Sequence, residues 1–188
     1  MIASPIKLWA GAFYLANKIF FSRAERSQNQ EKKRINKILS WTVYLIGLPA
    51  WVYILYTGND IIAAFVEMAG AFSMATGLIL AIKRKGRPPK WFYWIALVIT
   101  SIGIGLSFYK LRGLSSYTQI LELGLALGFL IGTFLLGVKD NFKGYLWFIL
   151  MNGCCAALML ARTNPILFAQ QLASIFFVLD AYRIRKRR

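Results

Sequence analysis

Long apolar segments separated by short basic clusters dominate this chain of 188 residues. A helix that crosses a bilayer needs about 20 predominantly apolar residues. The segments that reach or approach that length are residues 41–56, 61–82, 91–109, 117–138, 145–161 and 166–182. The pattern predicts an all-α, polytopic membrane protein in which residues 1–188 form a single integral membrane domain.

The positive charge follows the same alternation. Most of the 23 Lys and Arg residues lie at the ends of apolar runs, near residues 7–37, 83–90, 139–143 and 183–188. A net charge of +16 in a soluble protein would suggest nucleic acid. With 58% hydrophobic residues, retention of Lys and Arg on the cytoplasmic side explains the charge instead. We therefore expect no nucleic-acid partner, and a multi-pass protein of the bacterial inner (plasma) membrane whose C-terminus is cytoplasmic.

The N-terminal stretch, residues 6–21, leaves two alternatives open. It spans the membrane if Lys7 and Lys18, near its ends, extend their side chains to the interface, which gives seven transmembrane helices. Alternatively it lies flat on the cytoplasmic surface as an amphipathic anchor, and six helices span. Both arrangements keep residues 23–37 cytoplasmic, so the charge pattern does not decide between them.

Polar side chains inside the predicted spans are the candidate functional residues. A carboxylate facing lipid is costly, so Glu67 and Glu122 either serve a function, stay hydrated near the outer interface, or pair with Lys110 or Arg112. Asn152 lies near the centre of its helix, where an amide needs a partner in the bundle or a wet cavity. Both explanations, an interhelical hydrogen bond and a ligand contact, apply to Asn152.

The sequence argues against an enzyme. It contains no histidine, which excludes a histidine base or a catalytic triad. Cys154 and Cys155 are adjacent on one helix, so they cannot form an ordinary disulfide with each other. An integral-membrane enzyme would have to rely on Glu67 and Glu122 alone. We therefore expect no catalytic residues, no metal site and no cofactor.

A weak internal repeat is present. The segment that begins Asn59-Asp60-Ile61-Ile62 is similar to the one that begins Asn164-Pro165-Ile166-Leu167, with Glu67 matching Gln171, and both segments end in a basic run. If residues 6–21 span, the chain divides into repeat 1 (about residues 3–85), a linker helix (about 91–110) and repeat 2 (about 116–186). The two repeats run in the same direction, which predicts a 3+1+3 parallel-repeat bundle.

This arrangement resembles the PnuC-type vitamin transporters and, more distantly, the SWEET sugar transporters. PnuC-like chains carry a W-x-x-W-I-x-x-N motif around nicotinamide riboside, and residues 145–152 read YLWFILMN. Tyr145 and Phe148 occupy the tryptophan positions, and Asn152 keeps the asparagine. A literal W-x-x-W, Trp91 to Trp94, lies on the predicted linker helix.

The resemblance implies facilitated diffusion, by alternating access, of a small solute such as nicotinamide riboside or a related vitamin or nucleoside. The implied cavity residues are Tyr145, Phe148, Asn152, Gln171 and Glu67, with Glu122 and Gln119 nearer the outer mouth. The expected partners are the lipid bilayer and a small-molecule substrate, and the sequence leaves a monomer and a homo-oligomer both open.

A rival hypothesis is a structural or accessory membrane subunit of an envelope complex. Small residues on one helical face let another helix approach closely, and Gly124, Gly128 and Gly132 form such a face. The same glycines are equally suited to close packing within one bundle.

Overall fold

The computed structural model describes residues 5–84, 89–139 and 141–187, and within them the chain is entirely helical. Residues 85–88 of the second basic cluster lie outside the described residues. The helices are α1 (Pro5–Arg26), α2 (Gln30–Thr57), α3 (Ile61–Ile82), α4 (Trp91–Leu111), α5 (Tyr117–Thr133), α6 (Gly144–Ala161) and α7 (Pro165–Lys186). A π-helical turn, Phe134–Val138, extends α5. The predicted all-α fold is confirmed.

Short polar residues start several of these helices. The Asn29 side chain accepts hydrogen bonds from the amides of Glu31 and Lys32 at the start of α2, and the Ser116 side chain accepts one from the amide of Gln119 in α5. These caps satisfy amides that have no partner within the helix. Pro165 occupies the first turn of α7, where its missing N–H costs nothing.

Among the described residues, six helices are each long and apolar enough to cross a membrane: α2, α3, α4, α6, α7, and α5 with its extension to Leu136. Helix α1 is less apolar, yet it runs the full length of the bundle beside α7. Lys7 forms a hydrogen bond with Asn164 at the start of α7, and Ser22 donates one to Asp180 near its end, at 2.6 Å. Helix α1 is therefore parallel to α7 and an integral member of the bundle, which favours the spanning alternative over a helix on the membrane surface.

The helices form a closed ring in the order α1, α2, α3, α5, α6, α7, with α7 packed against α1. Helix α4 lies outside the ring and packs mainly on α3. Helices α1 to α3 form one three-helix unit and α5 to α7 form the other, and in each unit the middle helix contacts both of its neighbours. The two units meet where α3 contacts α5 and where α7 contacts α1. This is the predicted 3+1+3 arrangement. We call the end of the ring where α1, α3, α5 and α7 finish the basic end, because most cationic side chains lie there.

The loops before α3 and α7 have the same backbone structure, which defines the register of the repeat. Each loop makes three equivalent hydrogen bonds with nearly equal N–O distances. They are Gly58 to Ile54 (3.0 Å), Asn59 to Tyr56 (3.1 Å) and Asp60 to Leu55 (2.9 Å), matched by Arg162 to Leu158 (3.0 Å), Thr163 to Leu160 (2.9 Å) and Asn164 to Met159 (2.9 Å). The middle residues share a left-handed backbone, with φ of 61° at Asn59 and 52° at Thr163.

Asp60 is thus equivalent to Asn164, and Asn59 to Thr163. The sequence match that aligned Asn59 with Asn164 was wrong by one position, because it followed residue identity whereas the turn geometry follows the left-handed residue. The structural register keeps Glu67 equivalent to Gln171.

The glycine face of α5 packs inside this chain. An added Cβ atom would lie 2.7 Å from the Cys154 Sγ at Gly124, 2.7 Å from the Trp147 carbonyl at Gly128, and 2.7 Å from a ring carbon of Phe148 at Gly132. All three glycines therefore serve the close approach of α5 to α6, and they do not offer a surface for a partner helix.

Candidate functional site: a cavity between the repeats

A cavity of about 60 Å³ lies between the two repeats. This volume holds about four water molecules. Repeat 1 contributes Tyr14, Lys18, Tyr44, Val66, Glu67, Gly70 and Met74, and repeat 2 contributes Phe129, Phe148 and Met151. The cavity therefore has one polar wall and one apolar wall, each built by a different repeat.

The polar wall contains a buried carboxylate held by a tyrosine. The Tyr44 hydroxyl on α2 donates a hydrogen bond to the Glu67 Oε2 on α3, at 2.8 Å. Glu67 is 8% exposed. Since an ionisable group within a helical bundle is costly unless it is paired or hydrated, this hydrogen bond is a principal stabilising contact of the carboxylate.

A lysine faces the same cavity. Lys18 places its Nζ 4.6 Å from the centre of the Tyr14 ring, a cation–π distance. The Tyr14 ring in turn packs on Trp51, with ring centres 5.3 Å apart. The neighbouring tyrosine ring therefore holds the Lys18 ammonium beside the cavity.

Gly70 makes the tyrosine–carboxylate contact possible. A Cβ atom at Gly70 would lie 2.6 Å from the Tyr44 hydroxyl, closer than Cβ atoms approach other atoms. The absence of a side chain at Gly70 lets the phenol of Tyr44 cross α3 one turn from Glu67, on the side towards the basic end.

The structure brings some of the sequence-predicted residues to this cavity. Glu67 and Phe148 line it. Gln171 is fully buried beside Tyr14, and its side-chain amide has no hydrogen-bond partner among the described residues. Asn152 is also fully buried; its Nδ2 donates to the Phe148 carbonyl at 2.6 Å, while its Oδ1 has no partner in the described part of the chain.

Glu122 and Gln119 lie away from the cavity, at the end of the ring opposite the basic end. Glu122 accepts a hydrogen bond from the amide of Ala63 at the start of α3, at 3.1 Å. A carboxylate at a helix N-terminus is stabilised by the helix dipole. Gln119 donates to the Ser107 hydroxyl at 3.2 Å, which links α5 to α4.

Tyr145 belongs to a separate apolar cluster. Its ring meets the Phe21 ring edge-on, with centres 6.1 Å apart, and it packs with Val178 and Ala181. Tyr145 therefore contributes to the packing of α6 against α1 and α7, and it does not line the cavity.

An ion pair joins the repeats at the end opposite the basic end. The guanidinium of Arg162 contacts the Asp60 carboxylate, with Nη2 to Oδ1 at 2.6 Å and Nε to Oδ1 at 3.1 Å. Burial raises the pKa of Asp60, and the hydrogen bonds from Arg162 oppose that shift. The pair lines an open groove of about 380 Å³ together with Lys7 and Asn164.

A second ion pair joins the repeats at the basic end. Arg26 on α1 contacts Asp180 on α7 through two nitrogens, Nη2 to Oδ1 at 2.8 Å and Nε to Oδ2 at 3.0 Å. Ser22 donates to the same carboxylate. Polar contacts between the repeats therefore occur at both ends of the ring, above and below the cavity.

The polar cavity residues that sequence reasoning missed are Tyr14, Lys18 and Tyr44. The repeat register contains a signal for one of them, because Tyr44 is equivalent to Phe148, which was predicted as a cavity residue. Tyr14 carries no comparable signal, since an aromatic residue on a buried helical face is usually part of the core.

A family model described as 7TM diverse intracellular signalling matches residues 4–139. The match includes α1 to α5, and with them the whole polar wall of the cavity. No curated protein and no solved structure matches the chain.

Proposed function

This chain belongs to the family of 7TM diverse intracellular signalling proteins, and we propose that it binds a small solute between its repeats and transports it across the membrane. One observation carries the proposal: a cavity with a buried carboxylate lies at the interface of two parallel three-helix repeats. In transporters built from repeats, the substrate site lies at that interface near the bilayer midplane.

The walls of the cavity favour a solute with a planar or hydroxylated part. Glu67 and Tyr44 supply hydrogen-bonding groups on one side, and Phe148 and Phe129 supply aromatic faces on the other. Nicotinamide riboside, or a related vitamin or nucleoside, has these features and agrees with the resemblance to PnuC-type transporters.

The cavity is too small to hold a nucleoside in the conformation described. Ligand pockets for small organic molecules measure roughly 300–1,000 Å³, whereas this cavity measures about 60 Å³. A solute of nucleoside size therefore enters only after the repeats separate, which alternating access requires.

The positive-inside rule assigns the orientation. The basic end, with the C-terminal residues Arg183 to Arg187, lies on the cytoplasmic side of a bacterial inner membrane, and the Asp60–Arg162 groove opens outward.

Uptake into proteoliposomes tests the proposal. Purified full-length chain should take up labelled nicotinamide riboside or a related vitamin faster than empty liposomes, and Glu67→Gln should abolish most of the uptake. Gly105→Ala on α4 is the matched control, because an added Cβ there meets no atom within 4 Å. Absence of uptake for a panel of vitamins, nucleosides, sugars and amino acids would overturn the proposal.

Signal transduction is the second candidate, and the family description favours it. In this case the same cavity binds an effector and the chain carries no flux. A change in the cavity would reach the basic end along α1, which carries both Tyr14 and Arg26. The result that supports it is saturable solute binding without uptake, accompanied by altered protease cleavage at the basic end.

A further inference from the structure

Two opposite charges face one small cavity without pairing with each other. Lys18 extends from α1 and Glu67 from α3, and both line the cavity. Among the ion pairs of the described residues, none joins these two side chains. A buried cation and anion in the same bundle ordinarily make direct contact, since each is costly alone.

Neighbouring aromatic residues hold the two charges at separate places on the wall. The Tyr44 hydroxyl fixes the Glu67 carboxylate at 2.8 Å, and the face of the Tyr14 ring holds the Lys18 ammonium at 4.6 Å. The Tyr14 and Tyr44 rings also contact each other, with centres 6.3 Å apart. The two anchors are therefore parts of one packed aromatic unit.

The wall opposite these charges is apolar. Phe129, Phe148 and Met151 come from repeat 2 and bring no charge to the cavity. A solute that matches both walls has an ammonium, a carboxylate and an apolar part. A free charge of only one sign would leave either Lys18 or Glu67 buried without a counter-ion once the cavity closes.

We propose that the cavity selects a zwitterion with an apolar side chain, of the chemical class of the α-amino acids, whose ammonium pairs with Glu67 and whose carboxylate pairs with Lys18. The inference rests on the proposed function in that the cavity binds a solute, and it replaces nicotinamide riboside, which carries a single positive charge, by a zwitterion as the preferred solute.

Three ligands that differ by one charged group test the selection. Phenylalanine carries both charges, phenethylamine lacks the carboxylate, and 3-phenylpropanoate lacks the ammonium. Binding of each to the purified full-length chain is measured by isothermal titration calorimetry, with nicotinamide riboside as a fourth ligand. We expect phenylalanine to bind more than about tenfold tighter than either analogue, because each lost ion pair removes a charge-assisted contact.

Two conservative variants assign each charge to its partner. Lys18→Met should bring phenylalanine and phenethylamine to equal affinity while the discrimination against 3-phenylpropanoate persists. Glu67→Gln should remove the discrimination between phenylalanine and 3-phenylpropanoate. Gly105→Ala should leave all affinities unchanged, and thermal unfolding in detergent verifies that each variant is folded.

The outcomes separate this inference from the proposed function. If nicotinamide riboside binds and phenylalanine does not, or if the three phenyl compounds bind equally to the unsubstituted chain, zwitterion selection is wrong and solute binding stands. Binding of none of the four ligands contradicts the inference and counts against the proposed function as well. Because the ligand comparison uses the unsubstituted chain, it decides the question even where a variant fails to fold.

Discussion

At the scale of single residues, the cavity depends on a small set of close contacts that the sequence only partly indicates. Glu67 and Phe148 could be predicted because a carboxylate and an aromatic motif stand out within apolar helices. Lys18 could not, since a lysine near a helix end usually extends to the interface. Only the packed position of the Tyr14 ring shows that Lys18 faces inward.

Gly70→Ala should disrupt the polar wall. The added methyl group would lie 2.6 Å from the Tyr44 hydroxyl, so the phenol must move and its hydrogen bond to Glu67 breaks. Overpacking of this kind costs about 1–3 kcal/mol. Thermal unfolding in detergent should show a lower midpoint for Gly70→Ala, and an unchanged or higher midpoint for Gly105→Ala. Equal midpoints for the two variants would show that Tyr44 does not need the space above Gly70.

At the scale of helices and loops, apolar length and basic ends predict the elements well, because a spanning helix has few alternatives in a bilayer. The register of the repeat, meaning which residue of repeat 1 is equivalent to which residue of repeat 2, is harder to predict from the sequence. It depends on which loop residue adopts the left-handed backbone, and Asn59 and Thr163 share that backbone without sharing a side chain. Residue identity therefore pointed to the wrong pairing, and the order of the helices around the ring could not be read from the sequence.

Thr163→Asn should stabilise the protein. Thr163 has φ of 52°, a conformation that β-branched residues tolerate poorly and asparagine tolerates well. Its side chain is exposed, so the substitution does not alter the core. We expect a gain of about 1 kcal/mol, measured as a higher midpoint of thermal unfolding.

The equivalent position provides the reciprocal test. Asn59→Thr should lower the midpoint, because it places a β-branched residue at φ of 61° and removes the acceptor for Lys110. A stabilising Asn59→Thr would contradict the equivalence of the two loops.

At the scale of the whole molecule, ion pairs at both ends join the two repeats, and they differ in burial. The side chains of Asp60 and Arg162 are 2% and 36% exposed, whereas those of Asp180 and Arg26 are 19% and 61% exposed. Removing one partner of a buried pair costs about 3–5 kcal/mol, and an exposed pair contributes about 0–1 kcal/mol. At the end opposite the basic end, the Asp60–Arg162 pair therefore joins the repeats more strongly than the Arg26–Asp180 pair does at the basic end.

Asp60→Asn should loosen that end, and Cys155 can report the change. Cys155 is 5% exposed and lies within electrostatic reach of both Asp60 and Glu67. In a Cys154→Ser background, a membrane-impermeant maleimide applied from the groove side should label Cys155 faster after Asp60→Asn. The exchange Asp60→Arg with Arg162→Asp should return labelling towards its original rate.

Asp180→Asn is the matched control at the basic end, where the lost pair is more exposed. It should change neither the labelling of Cys155 nor the unfolding midpoint by a comparable amount. If Cys155 is labelled equally in both aspartate variants, the difference in burial does not determine which ion pair joins the repeats more strongly.

The position of α4 outside the ring has a consequence for how such a molecule can arise. A unit of three crossings starts on one face of the membrane and finishes on the other, so a duplicate fused directly to it would be inserted upside down. One additional crossing restores the starting face and lets the second copy keep the orientation of the first. Helix α4 supplies that crossing while it packs mainly on α3. Its essential property is therefore that it adds one crossing and makes the number of crossings before the second repeat even. Its sequence is free to vary wherever it faces lipid.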